Sequence, residues 1–61
     1  MLTNKQKADK LREAIALLMD ADAMQQAAIG DSDVCYDNHN RIMDLIDDLT
    51  ADVTLLDSAA V

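Results

Sequence analysis

The sequence has no phenylalanine, tryptophan or proline, and only one glycine, one cysteine and one tyrosine among its 61 residues. Because aromatic side chains bury the most surface per residue, any core must instead be built from Leu, Ile, Val, Met and Ala. The single cysteine, Cys35, excludes a disulfide within the chain. Chains this short usually need a disulfide, a metal or oligomerisation for stability. We therefore expect this chain to oligomerise.

Long apolar runs are also missing. No stretch reaches the roughly 18 apolar residues that a membrane-spanning helix needs, so no membrane partner is expected. The first ten residues also lack the apolar segment of a signal peptide. A lone cysteine is compatible with a reducing compartment. These features predict a cytoplasmic protein.

The net charge of −7 is unevenly distributed along the chain. Residues 1–12 hold four basic residues against one acid, a net of +3, whereas the remainder holds one arginine against eleven acids, a net of −10. Cations are needed to neutralise nucleic-acid phosphates, so this balance argues against direct nucleic-acid binding. It favours attraction to a basic protein surface.

Helix formers and end signals predict an all-α chain with one domain, residues 1–61. Thr3 and Gln6 fit a capping box that begins helix 1, expected over about 3–29. Gly30 is expected to end that helix in a left-handed conformation. The segment 31–33 (Asp-Ser-Asp) suits a new helix N-terminus, so the turn is predicted at about 30–32 and helix 2 at about 33–58. So short a turn predicts an antiparallel helical hairpin.

Helix 2 carries an unbroken heptad pattern of mostly apolar residues. Its members are Cys35, His39, Ile42, Ile46, Leu49, Val53, Leu56 and Ala60. Helix 1 has two neighbouring lines. One runs through Ala8, Leu11, Ile15, Leu18, Asp22, Gln25 and Ile29, and the other through Ala14, Leu17, Ala21, Met24 and Ala28. One neighbouring helix covers only one such line. The hairpin is therefore predicted to dimerise into a four-helix bundle, with Leu11, Ile15, Leu18, Ile42, Ile46, Leu49, Val53 and Leu56 as the seam residues.

Asp22 and Gln25 interrupt the first line of helix 1. A polar residue in a heptad seam can fix the register of a helix pair. The interpretation preferred here is that the core line shifts to Ala21 and Met24 at this point, which leaves Asp22 at the edge of the interface.

The layout resembles the dimeric helical hairpins of the plasmid copy-number regulators in chain length, helix length and short central turn. The resemblance implies an architecture only, because the two share no motif and this chain lacks a basic face for RNA.

Two clusters are candidate functional features. An acidic ridge on helix 2 is a possible docking surface; it comprises Asp44, Asp47, Asp48 and Asp52. The basic residues of helix 1 (Lys5, Lys7, Lys10 and Arg12) are expected to lie beside residues 50–57 and to pair with acids there. Cys35 and His39 lie four residues apart on one helix face, so two copies together would offer Cys₂His₂ ligands for zinc.

These features favour a small acidic protein-interaction or regulatory protein that acts as a homodimer. One alternative is an acidic inhibitor that mimics nucleic-acid phosphates and blocks a nucleic-acid-binding protein. Another is a small metal-binding protein that uses Cys35 and His39, although a cofactor or metal is not the main expectation. An enzyme is not expected, because one cysteine and one histidine on one seam do not supply a nucleophile, a base and an orienting group.

Overall fold

The computed structural model describes residues 1–59 and shows two α-helices that pack against each other as a hairpin. Helix α1 spans Asn4–Ile29 and helix α2 spans Asp33–Ala59. The molecule is a rod with principal extents of 45 × 15 × 14 Å. The all-helical hairpin expected from the sequence is thus confirmed. Such a two-helix layer is one side chain deep, and this limits how much apolar surface it covers.

Helix α1 begins at a capping box. The backbone N–H of Gln6 donates to Thr3 Oγ1 at 3.1 Å, and the backbone N–H of Thr3 donates to Gln6 Oε1 at 2.9 Å. Two N–H groups that the first turn leaves without helical partners are satisfied in this way. The local sequence alone therefore determines where this helix starts.

The turn corrects one expectation. Gly30 was predicted to be left-handed, but its φ of −61° and ψ of −17° are right-handed helical values. The glycine is required for a different reason, since a Cβ atom on Gly30 would collide with the backbone carbonyl oxygen of Gln26. Ser32 then connects the helices. Its hydroxyl donates to the Ile29 carbonyl oxygen at 2.8 Å and accepts from the Cys35 backbone N–H at 3.2 Å, as a helix N-cap does.

The core lies along the heptad line of α2 and the first line of α1. The buried hydrophobic residues among those described are Ala8, Cys35, Ile46 and Val53. Partly buried residues complete the seam: Leu11, Ile15, Leu18, His39, Ile42, Leu49 and Leu56. Ala60, the last member of the heptad line, lies outside the described residues. No large side chain in the described chain is completely enclosed, so the hairpin has a seam rather than an interior.

The expected shift of the core line in α1 is wrong. Ala21 and Met24 are exposed, while Asp22 is buried, with 7% of its surface accessible. The seam continues straight through Asp22 and Gln25 because α2 offers a polar partner, His39, at that level. A buried carboxylate is tolerated when it is hydrogen-bonded, and this one is.

Candidate functional site

A polar network lies inside the seam near the turn and centres on Asp22. The carboxylate contacts His39 of the opposite helix, with 2.6 Å between His39 Nδ1 and Asp22 Oδ2. Gln25 Nε2 donates to Asp22 Oδ1, and Gln26 Nε2 donates to Asp22 Oδ2, both at 2.9 Å. Both carboxylate oxygens thus have partners. Because the carboxylate only accepts hydrogen bonds, Nδ1 of the His39 ring carries the proton in this contact.

The same contacts alter the acidity of Asp22. The side-chain amide of Gln25 contributes most to holding the pKa of the Asp22 carboxyl below its ordinary value of 3.8, and the His39 ring and the Gln26 amide act in the same direction. Burial of the carboxyl raises its pKa and opposes them without prevailing. Hydrogen bonds that favour the ionised form therefore keep Asp22 charged in the folded hairpin.

A shallow groove opens beside this network at the turn end of the hairpin. Its volume is about 220 Å³, and it is lined by Gln26, Gly30, Cys35, Tyr36 and His39. Cys35 is a free and buried thiol, whereas the Tyr36 ring is exposed. The groove thus brings together the one cysteine, the one histidine and the one tyrosine of the chain.

The chemistry of this cluster is limited by how its members are bonded. Asp22 orients the His39 ring, which is the contact between base and orienting group that the sequence analysis missed. The signal that could have revealed it is that Asp22 on the α1 line and His39 on the α2 line are equally far from the turn. Within residues 1–59, however, Cys35 makes no hydrogen bond to His39. No group of three His, Cys, Asp or Glu residues in that range is arranged to hold a metal ion.

The basic residues at the start of α1 are only partly paired as expected. Arg12 joins α1 to α2, with 2.5 Å between its Nη2 and Asp57 Oδ2, and it also contacts Asp9 Oδ1 at 2.8 Å. Lys10 lies 3.8 Å from Glu13 of its own helix, with both side chains largely exposed. Of the four basic residues, Arg12 alone pairs with α2 in the described structure. The acid it contacts, Asp57, is not part of the acidic ridge.

The acidic ridge lies on the exposed surface of α2. All four of its residues (Asp44, Asp47, Asp48 and Asp52) are exposed. None of them forms a salt bridge with any of the described residues. Like charges one helical turn apart repel each other mildly. The ridge therefore does not contribute to the stability of the hairpin through ion pairs.

Neither described helix is long and apolar enough to cross a membrane. The chain matches no protein-family model, no curated protein and no solved structure. The function of the chain must therefore be inferred from the surfaces and contacts of the hairpin itself.

Proposed function

We propose that this chain is a non-catalytic interaction protein that works as a homodimer of helical hairpins and binds a basic surface of another protein through its acidic ridge. The observation that carries the proposal is the amount of apolar surface left uncovered. Among residues 1–59, eleven large hydrophobic side chains are exposed and only four hydrophobic residues are buried. Exposed apolar surface in such a proportion is typical of interaction sites.

Pairing of two hairpins relieves this imbalance. A second hairpin laid along the first converts a seam one side chain deep into a four-helix core, in which apolar side chains of both copies leave water. Folding and association are then coupled, because the separate hairpin covers too little surface to offset the ordering of its chain. A second copy of the chain is sufficient to cover the exposed apolar surface, and the apolar lines of the two helices require no other partner.

Sedimentation equilibrium, together with thermal melting at several protein concentrations, tests the dimer. We expect a mass twice that of the chain and a melting temperature that rises with concentration. Replacing Leu49, a partly buried seam residue, with Lys should abolish helicity and association together, since the charge would be buried without a partner. A folded wild-type monomer with a concentration-independent melt would refute the proposal.

The acidic ridge supports the second half of the proposal. Four exposed carboxylates without ion pairs on one helix give a concentrated negative surface that is open to a cationic partner. The same observation favours a second candidate function, in which the ridge occupies the phosphate-binding cleft of a nucleic-acid-binding protein. The two candidates differ in whether nucleic acid competes with the hairpin for its partner.

A triple substitution tests both candidates: Asp44, Asp47 and Asp48 are changed to Asn in one variant. Because repulsion between neighbouring carboxylates is removed, the free energy of unfolding of the free protein should rise by about 0.2–0.5 kcal/mol for each like-charge pair that is removed. A partner captured from the native host and identified by mass spectrometry should bind the variant more weakly, with a flatter salt dependence. Displacement of the wild-type protein by added DNA or RNA would favour the inhibitor. Equal capture of the variant and the wild type would exclude both candidates.

A further inference from the structure

The exposed apolar residues are not evenly distributed around the hairpin. In α1, the residues immediately before those of the seam form a second line, in which Ala14, Leu17, Ala21, Met24 and Ala28 follow one another. All of them are exposed except Ala14, which is partly buried. In α2, the residues immediately before the seam include Val34, Leu45 and Leu55, which are also exposed. Each of these residues lies about 100° around the helix axis from the seam residue that follows it, because an α-helix has about 3.6 residues per turn.

The antiparallel arrangement brings these two lines to one side of the hairpin. Two antiparallel helices are related by a local twofold axis perpendicular to the plane that contains both helices. Rotation about this axis exchanges the two helices but does not exchange the two sides of the plane. It also leaves the right-handed winding of each helix unchanged. Residues that precede the seam in α1 and in α2 therefore lie on the same side. We call this side the Leu17 face, defined by Ala14, Leu17, Ala21, Met24 and Leu45.

The opposite side, here the Met19 face, is defined by the residues that follow the seam: Arg12, Met19, Tyr36, Met43 and Asp57. Three of the exposed large apolar residues lie on this side, against five on the side of the Leu17 face, and it already carries contacts. The Arg12–Asp57 ion pair crosses it, and the Thr50 hydroxyl in the same line of α2 donates to the Ile46 carbonyl oxygen at 2.7 Å. The groove lined by Tyr36 and His39 also opens near this side. An interface here would bury less apolar surface and would have to desolvate the Arg12–Asp57 ion pair, which is costly.

We propose that the Leu17 face is the surface through which two copies of this chain pair, an inference that rests on the homodimer proposed above. The size of the face agrees with this occupant. A rod 45 Å long and 15 Å wide presents a side comparable to the roughly 800 Å² that each partner contributes to a standard interface. Alanines at every seventh position of α1 allow the backbone of a facing helix to approach closely.

Charges on the same face complement those of a second copy. Lys10 and Asp52 both precede a seam residue, and the register of the Asp22–His39 contact places them at nearly the same level. Asp48 of the acidic ridge also precedes a seam residue. Pairing through this face therefore covers Asp48 and Asp52, and the other two ridge residues, Asp44 and Asp47, remain open to a cationic partner. A twofold axis parallel to the helices lays α1 of each copy over α2 of the other, with both turns at one end. Lys10 of each copy then lies over Asp52 of its partner, and two opposite-charge pairs flank the apolar contact.

Matched double variants test the assignment of the face. Leu17 and Leu45 are 68% and 45% exposed in the hairpin, and Met19 and Met43, on the other face, are 52% and 39% exposed. Changing Leu17 and Leu45 to Gln should raise the dimer dissociation constant by at least about a hundredfold, roughly tenfold for each leucine no longer buried. Changing Met19 and Met43 to Gln should alter it less than about threefold. Sedimentation equilibrium gives both values.

A labelling experiment keeps the test valid if the leucine variant does not fold. Ala21, on the Leu17 face, and Ala23, on the other side, are both exposed in the hairpin. In single variants, the thiol of Ala21→Cys should be alkylated slowly at high protein concentration and quickly after dilution. The thiol of Ala23→Cys should react at one rate throughout, and mass spectrometry separates both from the buried Cys35. A dimer in which Ala23→Cys is the protected thiol overturns this face and leaves the homodimer standing, whereas a monomeric wild type overturns both.

Discussion

Ile46 lies at the centre of the α2 seam and should contribute more to stability than an exposed methionine of the same helix. Only 5% of Ile46 is accessible, whereas Met43, on the Met19 face of α2, is 39% exposed. Changing either residue to Ala removes three heavy atoms. The two substitutions therefore delete side chains of similar size and differ in how much of each was buried. Met43→Ala is the matched control, because it lies outside the proposed dimer interface.

The expected magnitudes follow from that burial. Each buried methylene is worth about 0.8 kcal/mol, so Ile46→Ala should lower the free energy of unfolding by about 2–3 kcal/mol. The cavity contribution should be small, because in a seam one side chain deep the neighbours can close the gap. Met43 is about three-fifths buried, so Met43→Ala should cost about 1–1.5 kcal/mol. The higher helix propensity of Ala offsets about 0.2–0.4 kcal/mol of the lost stability in both variants.

Urea unfolding at one fixed protein concentration measures both differences, since stability depends on concentration if the chain dimerises. For a chain of this length, the Ile46→Ala loss corresponds to a fall in Tm of roughly 10–20 °C. The m-value should be unchanged in both variants. If the two variants lost equal stability, or if Met43→Ala lost more, the position of the seam on α2 would be refuted.

Three further predictions concern the turn and the polar network. Gly30→Ala should destabilise the protein by about 1 kcal/mol in urea unfolding, because the new Cβ collides with the Gln26 carbonyl oxygen; a gain of about 0.4–1 kcal/mol, the usual result at right-handed backbone angles, would contradict this. Because the pKa of Asp22 is lowered in the folded state, its contribution to stability is present above the unfolded pKa of about 3.9 and is lost as the pH falls through the folded pKa. The stability difference between the wild type and Asp22→Asn should therefore shrink on acidification below about pH 4, and a difference that is constant with pH would refute the argument. A small excess of zinc should leave the Tm of the reduced protein unchanged, because Cys35 is buried and His39 is engaged by Asp22; a rise of several degrees that is lost in the Cys35→Ala, His39→Ala double variant would indicate a metal site.

The sequence by itself determined the features that depend on neighbours within one helical turn. The Thr3–Gln6 capping box and the Ser32 cap involve groups three residues apart, so the chain specifies them without reference to a partner helix. The heptad spacing of α2 likewise defines which of its faces is apolar, whatever packs against it. These local signals are the reason that an all-helical hairpin was predictable.

Only the tertiary structure decided which residues meet across the two helices. Whether Asp22 lies in the seam or at its edge depends on what α2 places opposite it, and the answer, His39, is 17 residues away along the chain. The pairing of Arg12 with Asp57, rather than with the acidic ridge, depends on the register and rotation of α2 in the same way. The right-handed Gly30 belongs with these features, because the path of the turn must satisfy both helix ends together. Helical periodicity is fixed by backbone geometry within one segment, whereas the relative rotation and register of two segments emerge only when both are packed together.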